Sequence, residues 1–266
     1  MRKKLLIALC TLPLLFLAVI AVAFFGNPLS KALATRAAKI YMAAQYPSYT
    51  LEQVGYNFKD GNYYAHLTDP AQVDGNFSLS LGWWGTVLSD DYDYRVTGGE
   101  NTRNRLSMEY RDLVASVLET PQAGLPLDFG FGDLEIWSRE ALANDDCPAY
   151  ALVTEELTRN GSYDVRELGA QAGHLVYYLQ EPHPSLVRLT HWLLEIRRLM
   201  DEAGVPFVAI DLHLRDLPDE EGVRQDSDLY VLHFPYGDIH EEDALQRVTD
   251  ANRAAIAYYA QMDKET

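Results

Sequence analysis

From Leu5 to Phe25 the chain carries no charged residue, and Arg2, Lys3 and Lys4 stand directly before that run. As a helix rising about 1.5 Å per residue, a stretch of this length reaches roughly 30 Å, the thickness of a bilayer's hydrocarbon core. It constrains everything downstream, because the remaining residues must fold beside a membrane. The run exceeds the roughly 7–15 apolar residues of a secretory h-region, which favours a retained anchor. Ala21-Val22-Ala23 is an acceptable small-x-small site, so secretion after cleavage near Ala23 stays open. Lipid attachment at Cys10 is disfavoured, since the residue before it is the bulky Leu9. For orientation, Arg2, Lys3, Lys4 and the terminal amine oppose Lys31, Arg36 and Lys39 across the span, a thin margin for the positive-inside rule. The expectation is a single-pass protein of a bacterial cell membrane with its C-terminal body outside.

A net charge of −17 repels nucleic acid and anionic headgroups, so neither is an expected partner. The bilayer itself, reached through Leu5 to Phe25, is one expected partner, and an extracytoplasmic protein or peptide another. Of the two cysteines, Cys10 lies in the apolar run and Cys147 stands alone beyond it. Packing rather than a disulfide must therefore hold the body together, and no thiolate cluster offers itself to zinc.

The periodicity predicts an α+β chain: an N-terminal transmembrane helix (1–26), a small α+β domain (27–98) and a C-terminal α+β domain (99–266). Asn27-Pro28 is a helix start, with Leu29, Leu33, Ala37, Ile40 and Tyr41 on one face until Pro47. Asp60-Gly61 between alternating aromatic runs marks a hairpin over 51–68, and two further strands are expected at 76–83 and 86–91. The first domain is thus a helix on a small antiparallel sheet. A second helix is expected over 101–120. Residues 121–172 are hard to read, since Pro, Gly and Asp are scattered through them; Phe131 to Trp137 reads as a strand, and Ala151 to Thr158 fits either a strand or a helix. A β-α-β-β-α sandwich should follow: strand 174–180, helix 184–203 capped by Gly204, strands 207–215 and 229–236, and a helix opening at Glu241-Glu242-Asp243. Leu245, Val248, Ile256 and Tyr259 give that last helix an inner face.

Three stretches resemble a group of membrane-anchored bacterial proteins known as YfjL-like: Asn27-Pro28-Leu29-Ser30-Lys31-Ala32-Leu33-Ala34, Val54-Gly55-Tyr56-Asn57-Phe58-Lys59-Asp60-Gly61 and Glu202-Ala203-Gly204-Val205-Pro206-Phe207. The resemblance implies an N-terminal and a C-terminal domain and imports no catalytic residue. The first domain is also similar in layout to the PepSY module of extracytoplasmic peptidase modulators. Gly82-Trp83-Trp84-Gly85 stands where that module's Asp-x-x-Thr-Gly pattern would be.

The strongest chemical constellation is the strand face carrying Asp211, His213 and Arg215, opposite Val208, Ile210, Leu212 and Leu214. His233 and His174 join it if their strands are neighbours, and imidazoles with a carboxylate suit zinc or general acid–base chemistry. The same pattern also fits an ordinary solvated sheet face. Asp90, Asp91 and Asp93 lack the glycine and glutamate register of a calcium loop and fit a solvated turn. On a strand, Trp83 and Trp84 point to opposite sides, which makes Trp84 a candidate ligand contact. No phosphate loop, dinucleotide fingerprint or Gly-x-Ser-x-Gly setting occurs, so no cofactor is expected. The expected function is therefore binding or regulation rather than catalysis. Two alternatives remain: a His/Asp-dependent, metal-assisted hydrolase and a PepSY-like peptidase modulator.

Overall fold

The computed structural model describes residue 17 and residues 20–144, 147–218 and 228–265. The expected transmembrane segment lies mostly outside them: residues 20–25 are helical, and among the described residues no helix is long and apolar enough to cross a membrane. The described fold is mixed α+β and does not support the expected N-terminal transmembrane helix, whose first turns fall outside the described residues. The chain divides into two compact units, Met1–Thr102 with Thr158–Asn160, and Arg103–Leu157 with Gly161–Thr266.

In the first unit, α1 (Pro28–Gln45) starts as its sequence predicts: the Asn27 side chain accepts the Ser30 amide at 2.8 Å, and Pro28 opens the first turn. The helix lies on a four-stranded antiparallel sheet ordered β1 (Thr50–Asn57), β2 (Asn62–Thr68), β3 (Asn76–Leu81), β4 (Val87–Asp90). Strict alternation buries Tyr63, Ala65 and Leu67 on β2 and Phe77, Leu79 and Leu81 on β3. The helix face is only in part the one the sequence predicts, with Ala37 and Tyr41 packed against the core. Ser30, Ala34 and Ala38 are buried, whereas Leu29 and Ile40 are exposed. Beyond the helix, the rings of Tyr46, Tyr49, Phe77 and Tyr92 form an edge-to-face cluster, and Asp90 accepts from the Tyr41 hydroxyl at 2.5 Å. Residues 158–160 join this unit through Asn160, whose side chain accepts the Asp74 amide at 2.8 Å.

The second unit is built on α2 (Glu100–Leu118), most of which it contains, and on a sheet whose order is not sequential. From one edge to the other it runs β10 (Leu229–Pro235), β9 (Ala209–Arg215), β8 (Gly173–Gln180), β5 (Leu127–Leu134). β8 and β9 are parallel and joined through α5 (Leu186–Ala203); the other pairs are antiparallel. Serine 185 caps α5 and Gly204, at φ 62°, ends it. Leu189, Leu193, Ile196 and Met200 of α5 bury against Leu175, Tyr177 and Leu179 of β8 and Ile210, Leu212 and Leu214 of β9. Leu106, Tyr110 and Val114 of α2 complete that core.

β5 was the least legible strand, for a steric reason. Its inward positions include Gly130 and Gly132, where a Cβ would stand 2.3 Å from the Tyr177 ring and 2.6 Å from Val114. Between β5 and β8 lie a short parallel pair, β6 (Ile136–Trp137) with β7 (Leu152–Val153), and two short helices, α3 (Arg139–Asn144) and α4 (Val165–Ala172). The terminal helix α6 (Ala244–Glu265) begins after Glu241-Glu242-Asp243 and buries Ala244, Val248, Asn252 and Ala255.

Candidate functional site

The face of the second sheet turned away from α5 carries the polar residues of the sequence pattern. Register places Val176 beside Asp211 and Tyr178 beside His213, and Tyr230 pairs with His213 from the other side. Two groupings result.

The first is a row of rings. Tyr178 and His213 stack at 4.3 Å between centroids, His213 and Tyr230 at 5.3 Å, and Tyr259 of α6 meets Tyr230 at 5.4 Å. Arg215 lies 4.2 Å over the Tyr178 ring, a cation–π contact. Burial, and then the Arg215 charge, push the His213 pKa below its ordinary value, so this imidazole is neutral at pH 7. His213 is therefore a packed ring rather than part of the cluster beside it.

The second grouping is polar. His174, only 5% exposed, places Nδ1 2.6 Å from Glu135 Oε1 and Nε2 3.1 Å from Asp211 Oδ1. The His233 ring lies 4.7 Å from the His174 ring. Its own backbone is displaced: the β9–β10 ladder shifts register between Val231 and Phe234, and His233 sits there at φ 45°. The bulge turns its amide toward the Asp211 carboxylate at 2.6 Å instead of into the ladder. The Tyr150 hydroxyl stands 3.3 Å from His233 Nδ1, and Trp137 Nε1 donates to Glu135 Oε2 at 2.6 Å.

Electrostatics follow from that geometry. Burial works against a proton on His174, but hydrogen bonds to Asp211 and Glu135, with their charges, outweigh it and raise the pKa to about 9. Burial likewise opposes charge on Asp211 and Glu135, and the His174 proton overrides it, holding both carboxyls below their usual range. Burial and the same two carboxylates raise the Tyr150 phenol. At neutral pH the centre is thus an imidazolium between two carboxylates, with one negative charge left over.

Of the residues the sequence singles out, the structure brings His174, Asp211 and His233 together and leaves His213 in the aromatic row. Glu135 and Tyr150 escaped the sequence pattern: one is an ordinary acid at the end of a glycine-broken strand, the other lies in an irregular loop. In the first unit Trp83 donates to the Gly61 carbonyl at 2.6 Å, while Trp84 is 81% exposed in the turn between β3 and β4. Asp91 accepts the Ser78 amide at 2.6 Å, which gives that acidic stretch a structural task.

Beside the polar cluster a groove of about 730 Å³ opens between β10 and α6, lined by Asp211, His233, Tyr258 and Tyr259 among others. Fold and site together describe a two-unit α+β protein with a carboxylate–histidine centre on one sheet face. Family models for the YfjL-like N-terminal domain and the YfjL-like C-terminal domain match residues 1–91 and 133–249 respectively. The chain belongs to the YfjL-like family. No curated protein and no solved structure gives a significant match.

Proposed function

We propose that this is a membrane-anchored extracytoplasmic binding protein whose second unit takes a cationic ligand, such as a peptide with a lysine or arginine side chain, in the groove between β10 and α6. The observation that carries it is the lining. Asp211, Asp238 and Asp250 line the groove with Arg247, whose guanidinium already donates to the Asp238 and His240 carbonyls at 3.0 and 2.7 Å; Asp211 also pairs with His174 at 3.1 Å and Asp250 with Arg253 at 2.9 Å. Tyr258 and Tyr259 supply aromatic faces that attract a cation further, and Ala251, Ala254 and Ala255 leave room for its apolar stem. Anchoring rests on the apolar run before Asn27, and the extracytoplasmic location on the basic residues that precede the run.

The test is fluorescence anisotropy of a labelled Ala-Lys-Ala-Lys-Ala peptide with the full-length protein, against its glutamate counterpart. Saturable binding of the lysine peptide, weakened about tenfold or more by Asp250→Asn or Tyr259→Ala, is expected. Equal binding of both peptides, or of neither, contradicts the proposal.

A metal-assisted hydrolase stands second, favoured by the convergence of His174, Asp211 and His233, which would leave room for a water on a bound ion. A peptidase-modulating role for the first unit rests on its helix-on-sheet layout alone.

A further inference from the structure

We propose that His174, Asp211 and His233 form a binding site for one divalent transition-metal ion of the zinc type, with Glu135 as the outer carboxylate that orients His174. The site shares Asp211 and His233 with the lining of the neighbouring groove, and its test needs no peptide in that groove.

The donor set is the first support. Each of the three residues offers one ligand atom, and these atoms all lie within 4.8 Å of one another. Two imidazoles and a carboxylate are a set that binds zinc and ferrous-type ions and leaves coordination positions open. Tetrahedral bonds of about 2.0–2.1 Å require ligand atoms roughly 3.3–3.5 Å apart, so the set must close by about 1 Å. His233 can supply that movement. His233 is exposed, and its ring meets the Tyr150 hydroxyl at a long 3.3 Å.

The second support is outside the donor set. A metal-binding imidazole nearly always donates its other ring N–H to a carboxylate or carbonyl, which fixes the ring's orientation. Glu135 already occupies that position on His174 Nδ1 at 2.6 Å, and a bound ion would take the place of the proton that Nε2 shares with Asp211 at 3.1 Å. Glu135 is itself fixed. Trp137 Nε1 donates to its second oxygen, its amide donates to the Ala172 carbonyl at 2.8 Å, and its carbonyl accepts the Leu152 amide at 2.8 Å. The bulge at His233 adds a third feature, since its left-handed backbone is uncommon for a residue with a side chain and brings His233 to Asp211. Charge is also suited: Glu135 and Asp211 place two carboxylates around the site.

Isothermal titration calorimetry of the metal-free full-length protein, purified without a polyhistidine tag, tests this with Zn²⁺ as the probe. One ion per chain is expected. Glu135→Gln should retain that stoichiometry and lose about 10–100-fold in affinity, and His233→Ala should lose more. Because His174 is buried and Asp211 half-buried, His233→Ala, at an exposed position, is the decisive variant, and its circular dichroism should match the wild type. His240→Ala, an exposed histidine elsewhere in the same unit, should leave Zn²⁺ binding unchanged. Absence of stoichiometric binding to the wild type, or equal binding by folded His233→Ala, overturns the proposal.

Discussion

At the scale of single residues the buried ionised groups behave differently, and partner geometry decides which is which. Glu181 is a structural example in the second unit. It accepts from Arg188 Nε at 2.9 Å and Nη2 at 2.7 Å and from Trp192 Nε1 at 3.1 Å, and Arg188 foremost holds its pKa below the usual carboxylate value. A carboxyl with a lowered folded-state pKa stabilises the fold above its unfolded value and loses that contribution as pH falls through the folded one. Glu181→Gln is therefore expected to cost about 1–2 kcal/mol in urea denaturation at pH 7, with the gap to wild type closing as the pH is lowered below about 4. Gly130 tests the packing argument on β5: Gly130→Ala drives a methyl into the fully buried Tyr177 ring and is expected to cost about 1–3 kcal/mol in the same assay. A neutral result would mean that Tyr177 has room to move.

Among the elements, those announced by local chemistry were legible in the sequence and those fixed by close approach were not. The Asn27-Pro28 cap, the Asp60-Gly61 hairpin and the Gly204 end of α5 each rest on one or two residues with a specific backbone task, and all appear in the structure. The faces of α1 and α6 were read only in part: Ala37 and Tyr41 of α1 pack against the core and Val248 of α6 is buried, as expected. Large apolar residues suggested Leu29 and Ile40 for α1, and Leu245 and Ile256 for α6, but all four are exposed. Both helices instead bury small residues, Ala34 and Ala38 in one and Ala244 and Ala255 in the other, and small side chains let a helix approach its neighbours closely. Ala38→Leu is accordingly expected to destabilise by about 1–3 kcal/mol or more, whereas Ile40→Ser should stay within about 0.5 kcal/mol, as read by thermal or urea unfolding. A neutral Ala38→Leu would restore the face suggested by the large residues. β5 was legible only from Phe131 onward for a related reason, because glycines replaced the apolar half of its alternation.

For the whole molecule, location and chemistry are separate questions. If the body lies outside the membrane, a C-terminal tag on intact spheroplasts should be digested by added protease, and a protected tag would reverse the orientation read from Arg2, Lys3 and Lys4. The chemical centre was only partly legible. Alternation placed Asp211 and His213 on one strand face, but it could not show that β8 lies beside β9 in parallel, that a bulge would carry His233 to Asp211, or that Glu135 would arrive from an irregular segment. Non-local pairing made the site, and a sequence pattern does not contain it. The most direct measurement is anomalous diffraction at the zinc edge from crystals of the metal-free protein soaked in Zn²⁺. The account predicts one strong peak per chain, about 2.0–2.2 Å from His174 Nε2, an Asp211 oxygen and a His233 ring nitrogen. No peak there, or peaks confined to surface carboxylates, would contradict it.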